Sequence, residues 1–336
     1  MLNKSVAGII AASLFAVSAP VALAQGKGET VKIQDYPGTG NMLYRIAVSK
    51  GYCDNHGIKC QLQVIQSGPL GAQALLSKSI DVAFFSAEVP INAAIKGAKI
   101  KIILGGAIMN VFQIVIRNDL DAPNADKGYP SFMADLKGKK IGVTARGSGA
   151  EYQFGMLAVR AGLKVDDFTF VAVGSPNTSH GALLSKQIDA SMTFEPSASM
   201  CDVLKTCKTI YRGREATEPV EIVKTNGASG VTGVTQELID KSPHVVEALI
   251  AAAKDAEAFI QDPKNFDEVL RIAQTYFKFE MAQGDEVMRD SLKSGIRGYK
   301  TAVSRDALKQ IAANMLATKQ IDAAVDTDAL LYANAP

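Results

Sequence analysis

The sequence predicts an α/β protein built from two lobes of similar design. The first sign is order: strand-like and helix-like runs alternate with tight turns between them, as in a largely parallel sheet flanked by helices. The second is a repeated phrase, "ALLSKSIDVAFFSAEVP" from Ala74 and "ALLSKQIDASMTFEPSA" from Ala182. A spacing of about 100 residues exceeds the ~20–50 of a solenoid unit and fits one small domain. The third is size, since 336 residues, 47% of them hydrophobic, can fill two cores.

The elements follow in order. Residues 30–36, "TVKIQDY", alternate as a strand does, and "PGTGN" turns the chain into an amphipathic helix over 42–50. "IKCQLQVIQ" from Ile58 is a second strand, followed by Ser67-Gly68-Pro69 and a helix over 70–78. "IDVAFFS" and "VPINAAIKG" give a third strand and helix, and "IKIILGGAI" from Ile100 a fourth strand. The pattern then restarts. "KKIGVTA" is a strand, "RGSG" a turn, and 150–161 a helix; "FTFVAVG" is a strand, "SPNTSHG" a turn, and 182–186 lies in a helix. "IDASMTFE" closes the second copy, so the repeated phrase falls at the same step of both lobes.

Residues 111–120, "VFQIVIRNDL", open on a strand-like run that can leave one lobe and enter the other. Residues 220–235, "VEIVKTNGASGVTGVT", can carry the chain back. Helices dominate from there, one of them opened by Ser242-Pro243, a cap with Pro at the first helical position. The expected division is a leader at 1–24, lobe one at 25–115, lobe two at 116–224, and a return to lobe one at 225–336.

The N-terminus reads "MLNKSVAGIIAASLFAVSAPVALAQG". Lys4, a short apolar run and the small-x-small site Ala22-Leu23-Ala24 make a secretory signal peptide. The run is too short for the ~20 residues of a membrane span. Net charge is +2 and falls by one when Lys4 leaves with the leader, which excludes an electrostatic footprint for nucleic acid. The four cysteines form two close pairs, Cys53 with Cys60 and Cys201 with Cys207. Export and an even count favour disulfides, and local pairing would staple one loop each. "CDNHGIKC" contains His56, but ligands are few and no tight Cys-x-x-Cys clip is present, so no metal is expected.

Turns at strand ends and helix starts are where an α/β lobe binds ligands, because free N–H groups and the helix dipole favour anions there. "PGTGN", "SGPLG", "RGSGAEY" and "SPNTSHG" all place small or hydroxyl residues at such points. "RGSG" adds the Arg146 guanidinium but lacks the ending of a phosphate loop. Glu88 and Glu195 follow equivalent strands and can face a shared cleft, or else cap the helix after them. No "GXSXG" elbow is present, and His180 beside Ser179 is not a triad.

On these residues the chain resembles the solute-binding proteins of ABC importers, in the branch of the sulfonate/taurine binders and the thiamine-pyrimidine-precursor binders. "GYCDNHGIKCQLQVIQSGP", "ADLKGKKIGVTARGSGAEYQFGMLAVRAGL", the doubled "ALLSK-x-ID" and "SPHVVEALIAAAKDAEAFI" carry the resemblance over nearly all of the mature chain. It implies a type II periplasmic binding protein, with two lobes of mixed sheet flanked by helices and two crossover strands as hinge. It implies a periplasmic monomer that hands a small molecule to an inner-membrane permease, with no cofactor and no enzymatic activity. Carried over, the pocket would use Pro37, Gly38, Thr39, Gly40 and Asn41; Ser67 and Gly68; and Ser86, Ala87 and Glu88. From the second lobe it would use Arg146, Gly147, Ser148 and Gly149, then Phe194 and Glu195. Relatives often have Trp-Asp-Pro or Trp-x-Pro where this chain has Phe194-Glu195-Pro196, and no Trp occurs here. Enzymes of the same fold act inside the cell, against which the leader argues; a ligand-presenting sensor is a further reading.

Overall fold

The computed structural model describes residues 25–281 and 283–336. The leader expected at 1–24 lies outside them. The strands are β1 (Glu29–Asp35), β2 (Ile58–Val64), β3 (Ala83–Ser86), β4 (Ile100–Ala107), β5 (Gln113–Arg117), β6 (Lys140–Val143), β7 (Thr169–Ala172), β8 (Ala190–Thr193), β9 (Cys207–Arg212), β10 (Gly230–Thr235) and β11 (Tyr299–Lys300).

Two sheets result. In the first, β2 and β1 pair in parallel, the Ile33–Val82 bridge joins β1 to the start of β3, and the order continues through β10 and β4 to β11. In the second the order is β7-β6-β8-β5-β9. Strands β6 to β9 thus repeat the places of β1 to β4. In each sheet the slot between the third and fourth of these is filled by an antiparallel strand, β10 in the first and β5 in the second. The chain crosses between Ala107 and Gln113 and returns between Arg212 and Gly230. Residues Val220–Val223, expected within the return run, form a helical turn behind Pro219, which has no N–H to give a ladder.

Both sheets are covered on both faces, the setting in which parallel strands become continuous apolar runs. β4 is buried at every position but Lys101. Ile33, Ile103 and the helix Pro243–Gln261 pack on one face of the first sheet, and Phe85, Ile102 and the helix Arg305–Ala317 on the other. Ile114, Ile141, Phe154 and Met192 form the main core of the second.

The doubled phrase has a specific cause. After each helix a lysine takes the left-handed conformation, Lys78 at φ 63° and Lys186 at φ 62°. Around it the backbone closes the same pair of bonds: Ser79 N to Ala74 O at 2.9 Å and Lys78 N to Leu75 O at 3.1 Å, and Gln187 N to Ala182 O at 3.0 Å and Lys186 N to Leu183 O at 3.2 Å. This is a Schellman stop. The aspartate that follows then clasps the neighbouring strand, Asp81 Oδ2 accepting from Lys32 N at 2.8 Å and Asp189 Oδ2 from Lys140 N at 2.9 Å. The phrase ends a helix, fixes a strand's position and delivers the next strand end to the space between the sheets. Both expected disulfides form: Cys53–Cys60 ties a helical turn to β2, and Cys201–Cys207 ties the helix Ser197–Leu204 to β9.

Candidate ligand-binding site

A cavity of about 830 Å³, its open mouth included, lies where ends of strands from both sheets meet. Thr39 and Gly40 follow β1, Gly68 follows β2, and Ser86 ends β3. Thr144, Ser148 and Gly149 follow β6, Phe194 and Glu195 follow β8, and Arg214 follows β9. Both chain crossings enter the wall, through Met109 to Phe112 and through Ser229 and Gly230.

Six of the 25 lining residues are aromatic: Tyr36, Phe84, Phe85, Phe112, Phe194 and Tyr299. Tyr36 meets Phe194 edge-on with ring centroids 5.4 Å apart, and Phe84 at 6.1 Å. These are the favoured geometries of aromatic pairs. The Tyr36 hydroxyl accepts from Gly68 N at 3.2 Å, and burial pushes its pKa up to about 12. Two glycines permit close approach. A Cβ on Gly149 would meet Ser86 Oγ at 2.2 Å. Gly38, at φ +97°, would meet Glu195 O at 2.6 Å.

The "PGTGN" turn is held from beneath by Arg45, which is 1% exposed. Its guanidinium donates to Asp35 Oδ1 at 2.8 Å and Oδ2 at 3.1 Å, to Tyr36 O at 2.9 Å and to Gly38 O at 2.6 Å. Asn41 Nδ2 donates to Gln34 O at 2.8 Å, and the Tyr299 hydroxyl donates to Thr39 O. Pro37, Gly38 and Asn41 therefore shape the turn and stay behind the wall, while Thr39 and Gly40 reach it.

Other expected site residues divide in the same way. Gly68, Ser86, Ser148, Gly149, Phe194 and Glu195 line the cavity; Ser67, Ala87, Glu88, Arg146 and Gly147 do not. Ser67 caps its helix, Oγ accepting from Leu70 N at 3.4 Å. Ala87 is wholly buried. Ser175 of "SPNTSHG" donates to Gln66 Oε1 at 3.0 Å, joining turns of the two sheets away from the cavity.

Arg146 is the main departure. Its side chain is 66% exposed and turns to Glu151, with Nε 3.0 Å and Nη2 2.9 Å from Oε1. Gly147 N donates to the same carboxylate at 2.7 Å. The acid in the first turn of the helix Gly149–Arg160 takes both the cation and the turn N–H. The cation at the cavity is Arg214, which the sequence reading missed. The signal was present: "YRGR" ends β9 and runs past it at the same sheet edge at which "RGSG" follows β6.

Glu195, 4% exposed, is fully engaged. Oε1 accepts from Gln113 Nε2 at 2.8 Å and Ser294 Oγ at 3.2 Å; Oε2 accepts from Ser199 N at 3.2 Å and Ser199 Oγ at 2.8 Å. By contrast, Arg214 Nη1 and Ser148 Oγ are buried without a partner among the described residues. Ser148 is the N-cap of its helix but makes no side-chain cap bond. A buried polar group left unpaired costs about 1–3 kcal/mol, which a ligand at the cavity wall can offset. Glu88 Oε2, Arg117 Nε, Thr209 Oγ1 and the Tyr211 hydroxyl are unpaired too, but away from the wall.

Glu88 lies behind the cavity, 3% exposed. Its Oε1 accepts from Gln153 Nε2 at 3.2 Å, across to the helix of the second sheet, and Gln153 Oε1 accepts from Asn110 Nδ2 at 2.9 Å in the first crossing. Burial pushes the Glu88 carboxyl up to about 7. Among the described residues His56 joins no group of three metal-ligating side chains; its Nε2 lies 2.7 Å from Asp255 Oδ2. His180 gathers with Cys201 and Cys207, but those sulfurs are joined and offer no thiolate.

Two α/β sheets that exchange strands and meet over a cavity are the fold of the periplasmic binding proteins. The chain belongs to the NMT1-like family, whose model matches residues 24–274. A protein of Brucella abortus (strain 2308) is 30% identical over 228 residues, which span 68% of this chain and 65% of that protein. A protein of Bordetella bronchiseptica RB50 shares the fold at 23% identity and a TM-score of 0.74, over 90% of this chain and 94% of its own. The periplasmic aliphatic sulphonate binding protein SsuA of Escherichia coli does so at 17% and 0.67, over 90% and 92%.

Proposed function

We propose that this protein is the exported solute-binding component of an ABC importer. It captures a small polar organic ligand, a sulfonate or an aromatic acid, by closure of two lobes, and presents it to a permease in the inner membrane. The observation that carries this reading is a single cavity whose wall is drawn from both sheets and both chain crossings. Such a cavity changes shape when the lobes move about the crossings, which is how ligand and closure become coupled.

A binding role is favoured over a catalytic one by the chemistry of the wall. Its serines have no imidazole beside them, because His56, His180 and His244 pair with Asp255, Thr206 and Glu29 elsewhere. Glu195 is held by donors on both oxygens and is poorly placed to take a proton. A thiamine-precursor pyrimidine is the alternative ligand; for Glu195 to accept from its ring or amino N–H, one of the present donors to that carboxylate would have to give way.

Thermal melting of the protein purified from the periplasm tests the reading. A ligand at a thousandfold its Kd adds about 4 kcal/mol, enough to raise Tm by several degrees. Small-angle scattering on the same ligand must show a smaller radius of gyration. A Tm rise with no compaction would refute lobe closure.

A further inference from the structure

Resting on the binding-protein reading, we infer that the ligand is a monoanion with an aromatic body and no ammonium group, its acidic group paired with Arg214.

The charge inventory of the wall is short. Of the described residues that line the cavity, only Glu195 and Arg214 carry a formal charge. Glu195 Oε1 accepts from Gln113 and Oε2 from Ser199 N and Oγ, while Ser294 Oγ, 3.2 Å from Oε1, shares its one proton with Ser291 O at 2.8 Å; both oxygens are thus already engaged within the protein. Arg214 Nη2 stands 3.9 Å from Glu195 Oε1, beyond a hydrogen bond, and Nη1 is buried with no partner. The cavity therefore has one uncommitted cationic donor and no uncommitted carboxylate. A ligand carboxylate or sulfonate satisfies that donor with a charge-assisted bond. An ammonium finds no free acid and meets a guanidinium.

The body follows from the rings. Tyr36, Phe84, Phe112, Phe194 and Tyr299 share the wall with Met109 and Val111. A methyl or aminoethyl chain would leave these faces uncovered; a flat ring of benzene size buries against them and gains about 25 cal/mol for each Å² removed from water. Ser148 Oγ, 2% exposed and unpaired, supplies a further donor or acceptor to the ligand.

The test is calorimetric titration of the protein purified from the periplasm with benzoate, benzenesulfonate, methanesulfonate, taurine and benzylamine. Benzoate or benzenesulfonate should bind at least tenfold more tightly than methanesulfonate, with taurine and benzylamine silent. Arg214→Met should weaken the aromatic anion at least a hundredfold, and Arg214→Lys should recover part of that loss. Ser148→Ala, which removes no cap, should keep the wild-type Tm and weaken binding several-fold. Binding of taurine or benzylamine with the aromatic anions silent overturns the ligand class and leaves the binding-protein reading standing. Silence across the whole panel overturns both. Unchanged affinity in Arg214→Met overturns the role of Arg214.

Discussion

Arg214 Nη2 and Glu195 Oε1 are separated by 3.9 Å, close enough for attraction and too far for a hydrogen bond. Arg212 Nη1 lies at the same distance from the same oxygen. Arg212 is held by Asp202, to which its Nη2 donates, so Arg214 is the guanidinium that faces the cavity beside Glu195, whose oxygens accept from Gln113 and Ser199.

Replacing Glu195 with Gln removes the charge and puts an amide where four donors converge. At least one buried donor then loses its acceptor, at about 1–3 kcal/mol. The expected outcome is a lower Tm together with anion affinity that is retained or strengthened, since Arg214 is no longer partly neutralised. Melting curves and titration with benzenesulfonate measure both. A variant of unchanged Tm would show that the carboxylate is not the organising acceptor.

The fold was readable from sequence because its signals are local. "ALLSK-x-ID" needs only a helix end, a left-handed lysine and one aspartate reaching a neighbouring strand, all within eight residues of chain. The disulfides were equally local. The choice between Arg146 and Arg214 was not, because it depends on partners. Glu151, five residues after Arg146, draws that side chain outward, whereas Arg214 is oriented by Glu195, contributed by a different strand end. The buried pair of Asp35 and Arg45, which supports the first turn, also looked like an ordinary strand end and helix face. Sequence order marks turns well; which side chain points inward is decided by distant contacts.

Glu88 gives a pH signature. Its carboxyl moves from an ordinary 4.5 to about 7 because burial disfavours the charge, and its neighbours Ser86, Tyr152 and Gln153 carry none at neutral pH. With the folded-state value raised, the folded chain keeps a proton between these limits that the unfolded chain has lost. The contribution is therefore fully present below pH 4.5 and disappears as pH rises through about 7, at about 1.4 kcal/mol for each unit. Urea midpoints of wild type minus those of Glu88→Gln should fall across that window and level off above it. A difference that is flat with pH would contradict the assignment.

Gly149 sets how closely the two sheets' turns approach. A β-carbon there would lie 2.2 Å from Ser86 Oγ, 2.6 Å from Ser86 Cβ and 3.0 Å from Phe112 Cζ. Ser86 ends β3 of the first sheet and Gly149 opens the helix after β6 of the second, so the clash with Ser86 is relieved by moving the lobes apart, while Phe112, in the second core, has to give by a few tenths of an ångström. Gly149→Val should keep the far-UV spectrum and lose at least tenfold in ligand affinity. Its radius of gyration should no longer fall on adding ligand. Normal compaction in this variant would mean that the lobes do not close across this contact.

Arg45 joins stability to the site. It is buried with Asp35 and also donates to the carbonyls of Tyr36 and Gly38. Removing one member of a buried pair leaves the other charge without compensation, a loss of about 3–5 kcal/mol. Arg45→Met should therefore lower stability by that order in urea unfolding at neutral pH. The double variant Arg45→Met with Asp35→Leu should recover much of it, because the orphaned carboxylate is gone. Ligand affinity should not recover with it, since the carbonyls of the turn that presents Thr39 and Gly40 remain without their donor. If the double variant regains both, Arg45 acts only on stability and the turn holds its shape unaided.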